Sequence, residues 1–108
     1  MRLLSILLFV VFFTPEAMAQ TRADKLFERG DYLEALKLYQ KELENTKEEE
    51  SAEKKDLLKM RVANCFFHLN DVVRAGQVYK TVNPDLLGAE DLTYYAITCF
   101  LTEHFEKP

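Results

Sequence analysis

Few side chains in this 108-residue sequence could do chemistry: two histidines, His68 and His104, two cysteines, Cys65 and Cys99, and some clustered carboxylates. Cys65 and His68 stand three residues apart, one helical turn, and could touch one side of a metal ion. Two ligands do not make a structural zinc site, and Cys99 falls in a different helix. His68 follows Phe66 and Phe67 near a helix end, the setting of a partly exposed structural histidine rather than a base. The carboxylates of Glu48, Glu49 and Glu50 lie in TKEEESAEKK, a solvated run and not an acid–base pair held at fixed separation. No glycine-rich phosphate loop or activated-serine motif occurs. The residues therefore point to a protein that is not an enzyme, with no catalytic residue, cofactor, metal site or small-molecule substrate.

The elements that must carry these residues are helical. Composition permits folding, with 48% hydrophobic residues and only three Gly and three Pro. From residue 21 to 45 the apolar positions Leu26, Phe27, Leu36, Tyr39 and Leu43 recur at helical spacing, broken by Gly30. Asp31 then supplies an N-cap, with Glu34 as the capping-box partner three residues on. Residues 46–55 hold no large apolar side chain and read as a solvated connector. The plan repeats at 56–82, with Asn70-Asp71 as the turn and Asp71 as the N-cap. Pro84 ends that helix, Gly88 marks a break, and a fifth helix runs from about 89 to 102. No stretch alternates with a strand period, so the class is all-α, with short connections making neighbouring helices antiparallel. Each cysteine sits among apolar residues at helical spacing and reads as a buried free thiol; a bridge between them would require adjacent faces.

The first 19 residues have the three parts of a secretory signal: Arg2, an apolar run at 3–13 broken by Ser5, and Ala17-Met18-Ala19 as the small-x-small site, with cleavage after Ala19. That run is about ten residues, short of the roughly 20 a spanning helix needs, so no integral membrane segment is expected after cleavage. Removing it takes away Arg2 and Glu16 together, which leaves the net charge at −4. Such a balance does not suggest nucleic-acid binding. An exported protein of the periplasm or cell envelope is expected.

Superimposing the segments exposes a repeat. Gly30, Asp31, Tyr32, Ala35 and Tyr39 answer to Asn70, Asp71, Val72, Ala75 and Tyr79 at an offset of 40; Ala23, Ala63 and Ala96 correspond in the preceding helices, followed by Leu26, Phe66 and Cys99. The second offset is 33. With GDYLEALKLYQKELE, this resembles the tetratricopeptide repeat, a unit of two antiparallel helices of about 34 residues. The resemblance implies an α-solenoid of about two and a half repeats: repeat 1 over 20–46, the connector 46–55, repeat 2 over 56–84 and a partial repeat 3 over 89–108. In it Ala23, Gly30, Tyr32, Ala35, Tyr39, Ala63, Phe66, Ala75, Tyr79 and Ala96 would be the repeat-packing positions. Glu42 and Asn70 depart from the family pattern, and Glu103-His104-Phe105 looks like the turn that begins a closing helix, so the chain reads as truncated.

In that family the first helix of each pair lines a concave surface that holds a segment of another protein. By resemblance the partner-binding positions would be Met60, Arg61, Asn64, Phe67, His68, Thr93, Ile97 and Phe100. Arg61 and Asn64 read as contact residues, being polar on an otherwise apolar helix, whereas Phe67 and Phe100 read first as core. A clamp for a terminal carboxylate is not expected, because Asp24, Thr93 and Ile97 stand at several of the matching places; an apolar segment of an envelope or secretion component fits better. ANCFFHLNDVVRAGQVY and LGAEDLTYYA are also loosely similar to the repeat region at the start of exported Bacteroidetes-type envelope proteins with a later outer-membrane-protein-A-like domain. The alternative reading is thus a structural front end of a longer wall-binding protein.

Overall fold

The computed structural model describes residues 15–47 and 51–105, with side chains over 22–47 and 51–104. Among them are five α-helices and no strand: α1 (Pro15–Glu28), α2 (Tyr32–Asn45), α3 (Ala52–His68), α4 (Val72–Tyr79) and α5 (Ala89–Phe105), with a 3-10 turn at Pro84–Leu86. The protein is all-α. Each helix packs on the next, and α3 also meets α5. No helix among the described residues is long and apolar enough to cross a membrane. The apolar run of the expected signal lies outside the described residues, while the expected cleavage point falls within α1.

The two tight turns are built alike. Gly30 (φ 84°) and Asn70 (φ 65°) take left-handed backbone, open to glycine and tolerated by asparagine. The Asp31 N–H reaches back to the Leu26 carbonyl at 2.8 Å and that of Gly30 to Phe27 at 3.0 Å; Asp71 reaches Phe66 at 2.9 Å and Asn70 reaches Phe67 at 3.0 Å. Both are Schellman closures, which satisfy the last carbonyls of one helix while reversing the chain into the next.

Small residues set the packing distance. Ala35, Ala63 and Ala75 are fully buried, and Tyr39 and Tyr79 fill the space beside them. One core joins these to Leu36, Leu58, Val62, Cys65 and Phe66; a smaller one gathers Met60, Val82 and Leu87 under the α4–α5 connection. Where α4 meets α5 the approach is tight at Gly76, on which any Cβ would stand 3.3 Å from Thr98 Cγ2.

Several boundaries differ from expectation. α3 starts at Ala52, not residue 56, because Ser51 caps it by accepting the Lys54 N–H at 3.2 Å; the second half of the charged connector is therefore helix. Asp31 occupies the N-cap position of α2 without a side-chain capping bond, its carboxylate lying 3.6 Å from Arg29 instead. Asp71 does cap α4, accepting the Arg74 N–H at 3.2 Å. Residues 103–105 continue α5 rather than forming a turn.

Ala23 and Ala63 are buried, yet Ala96 is exposed. On α5 the residues that face α3 and α4 include Asp91, Tyr94, Tyr95 and the buried Thr98, whereas Leu92, Ala96 and Phe100 are exposed. The reason is geometric: the second helix of each pair, α2 or α4, covers the alanine of the first, and no element follows α5 among the described residues.

Candidate functional site

A groove of about 260 Å³ opens across α1, α3 and α5. Periodicity explains why these three helices supply it: Asp24, Phe27 and Glu28 share one face of α1, Met60, Arg61 and Asn64 one of α3, and Glu90, Asp91 and Tyr94 one of α5. Tyr39 of α2 reaches the floor.

Two polar chains cross it. In the first, Asp24 accepts from Arg61 at 2.5 Å and from the Tyr39 hydroxyl, while the guanidinium carbon lies 5.9 Å from the Tyr39 ring centre. Burial, then the Asp24 carboxylate, pushes the Tyr39 phenol well above its ordinary range. In the second, the buried Asn64 amide accepts from the Tyr79 hydroxyl and donates to Asp91 at 2.9 Å. Asp91 in turn accepts the Gly88 N–H at 3.0 Å at the start of α5. Both ends of the Asn64 amide are thereby used, and its burial carries no unsatisfied polar group. Burial is also the main cause of a raised Tyr79 phenol. Tyr94 donates to Glu90, a bond that with lesser burial holds the phenol up at about 12.

Four carboxylates, Asp24, Glu28, Glu90 and Asp91, thus converge on a groove with one cation, Arg61. Its potential is negative, with Phe27, Met60 and Tyr94 as the apolar surface between the charges.

Beside the groove is a box of rings around His68. The imidazole stacks on Tyr32 at 4.5 Å with an 8° interplanar angle, and meets Tyr94 at 4.9 Å, Phe27 at 5.3 Å and Phe67 at 5.3 Å edge to face. Its Nε2 is buried and has no hydrogen-bond partner. Desolvation lowers the His68 pKa below 6.5, with Glu90 pulling weakly the other way.

Of the positions expected to meet a partner, Met60, Arg61 and Asn64 line the groove, Met60 and Asn64 being largely buried in it. Phe67 stacks on Tyr94 at 4.7 Å and His68 occupies the ring box, both at the groove's edge. Thr93 is exposed with its hydroxyl on the Ala89 carbonyl, and Ile97 and Phe100 are exposed away from the groove, Phe100 stacked on His104. Asp24, Glu28, Glu90, Asp91 and Tyr94 lay outside the sequence-derived set. The nearest signal for them was one turn of register: Glu90, Asp91 and Tyr94 flank Thr93 on α5. Both cysteines are free thiols; Cys65 is buried, its pKa pushed up to about 12 by that burial, whereas Cys99 is exposed, against expectation, in a cleft it shares with Val73 and Gly76 of α4. No group of three His, Cys, Asp or Glu side chains among the described residues could hold a metal ion.

Fold and groove together define an all-α protein of successive packed helices with a polar, negatively charged cleft shared by three of them. No family model, curated protein or solved structure matches the chain.

Proposed function

We propose that this chain is a protein-binding repeat module of the tetratricopeptide kind, exported through the signal at residues 1–19 to the periplasm or cell envelope, where it holds a segment of another protein. The repeat reading is supported by the matched turns at Gly30 and Asn70 and by the matched burial of Ala35 with Ala75 and Tyr39 with Tyr79. The export reading is supported by the sequence of the leader alone. It is not an enzyme in this reading.

The observation that carries the binding proposal is the groove itself, lined by the first helices α1, α3 and α5 and carrying four carboxylates against one guanidinium. Charge complementarity selects a segment that presents a lysine or arginine side chain, flanked by apolar groups to meet Phe27, Met60 and Tyr94. The wholly apolar occupant expected from the sequence alone fits less well, because it would desolvate Glu28, Glu90 and Asp91 without bringing them a cation, the groove's Arg61 being already paired with Asp24.

The test is fluorescence anisotropy with three labelled peptides of one length: lysine-bearing amphipathic, glutamate-bearing amphipathic and wholly apolar. The lysine peptide should bind and lose affinity with added salt, and the double reversal Glu28→Lys with Glu90→Lys should abolish this while leaving the helical circular dichroism intact. Equal binding of all three peptides, or of the lysine peptide to both proteins, would sink the proposal.

A further inference from the structure

His68 itself has no part in the binding proposal, yet the ring box around it joins side chains of α1, α2, α3 and α5: Phe27, Tyr32, Phe67 with His68, and Tyr94. We propose that His68 is a pH-sensitive tie, holding α5 against the first helix pair only while its imidazole is neutral, and releasing α5 as the pH falls.

The geometry carries this. A neutral imidazole needs one donor and one acceptor satisfied, but an imidazolium has two N–H donors. Nε2 is buried in this ring-lined setting and has no hydrogen-bond partner, so a proton placed there is buried without a hydrogen bond. The titratable and charged groups around the ring do not rescue it. Tyr32 of α2 offers its ring face in a near-parallel stack, and Phe27 and Phe67 offer only hydrocarbon. Glu90 of α5 acts through space, its carboxylate already accepting from Tyr94. Asp71, three residues on, is turned into α4, where it accepts from Arg74. Desolvation therefore outweighs the pull of Glu90, in agreement with the lowered pKa.

The sign follows from linkage. A histidine with a folded pKa below its unfolded value of 6.5 is neutral in the folded state at pH values where the unfolded chain already binds a proton. Its stabilisation is complete above pH 6.5 and is lost as pH falls below 6.5 towards the folded pKa. Over that interval the folding constant falls by up to about tenfold per pH unit from this group. Tyr94 of α5 lines the groove as well as the box, and Glu90 lines the groove beside it, so release of α5 also takes down one wall of the cleft.

Two measurements on the full chain test the idea. In the first, proton NMR follows the imidazole resonance that shows cross-peaks to the Tyr32 ring, together with amide exchange along α5 and α2. A midpoint below 6.5, with α5 losing protection before α2, is expected; a midpoint at or above 6.5, or equal loss in both helices, overturns the proposal. The second is urea denaturation from about pH 7.5 to 5 for the wild type and for His68→Phe, which keeps a ring in the box. The variant should lose the part of the pH dependence that lies below 6.5, and an unchanged profile overturns the proposal. If His68→Phe does not fold, the NMR experiment on the wild type decides alone.

Discussion

Placing a methyl group at Gly76 tests whether the α4–α5 contact is as tight as described. Two effects oppose each other. Alanine in place of glycine within a helix gains about 1 kcal/mol, because less backbone freedom is lost on folding. Against that, the new Cβ stands 3.3 Å from Thr98 Cγ2. Thr98 cannot swing aside freely, because its Oγ1 donates to the Tyr94 carbonyl at 2.8 Å. Overpacking of this kind costs about 1–3 kcal/mol, so Gly76→Ala alone should be between neutral and about 2 kcal/mol destabilising. In a Thr98→Ser background the offending methyl is gone while the hydroxyl remains, and the same change should stabilise by about 1 kcal/mol. The coupling between the sites is then about 1–3 kcal/mol, read by urea denaturation of the four proteins followed by circular dichroism. In a thermal melt each kcal/mol amounts to about 4–8 °C for a domain of this size. If Gly76→Ala stabilised equally in both backgrounds, to within about 0.5 kcal/mol, the close-contact reasoning would be refuted.

Three further outcomes are expected. Tyr79→Phe leaves the buried Asn64 oxygen without its donor and should cost about 1–3 kcal/mol in a denaturant melt, whereas Tyr94→Phe, whose hydroxyl bond is exposed, should cost far less. Gly30→Ala meets no neighbouring atom within 4 Å, so its cost is the left-handed backbone alone, about 1–2 kcal/mol; Asn70→Gly at the matching turn should be close to neutral, and both are read from urea midpoints. With a chromogenic disulfide reagent at neutral pH, Cys99 should react at once, and Cys65, buried with a pKa of about 12, only after denaturant is added.

The helices and turns were legible because their signals are local. Apolar spacing located α2 to α4, and the Gly30 and Asn70 turns are specified by residues that accept positive φ. The start of α3 was missed because Ser51 is followed three residues later by Lys54 instead of the glutamate that completes a capping box. The facing of α5 was harder still. Leu92, Tyr94, Tyr95, Ala96, Ile97, Phe100 and Leu101 put apolar groups around its whole circumference, so periodicity alone does not choose the side that packs. Three of the groove's residues, Met60, Arg61 and Asn64, could be named because they share one face of a single helix. Its acidic character could not, since Asp24 and Asp91 are each an ordinary surface carboxylate until helices distant in sequence bring them together.

The tyrosines have an optical consequence. The chain has no tryptophan and five tyrosines, so near-ultraviolet emission comes from phenols without an indole to drain their excitation. Tyr39 and Tyr94 each donate to a carboxylate, an arrangement that takes up the phenolic proton on excitation and dims the emission. Tyr79 is stacked on Tyr95 at 5.0 Å, close enough for the two transitions to couple and give a strong near-ultraviolet dichroic signal. Unfolding parts each of these pairs, so emission should brighten as that dichroic band disappears. The α1–α2 pair, the α4–α5 contact and the start of α5 therefore each carry an intrinsic label, and their opening can be followed without attaching a dye.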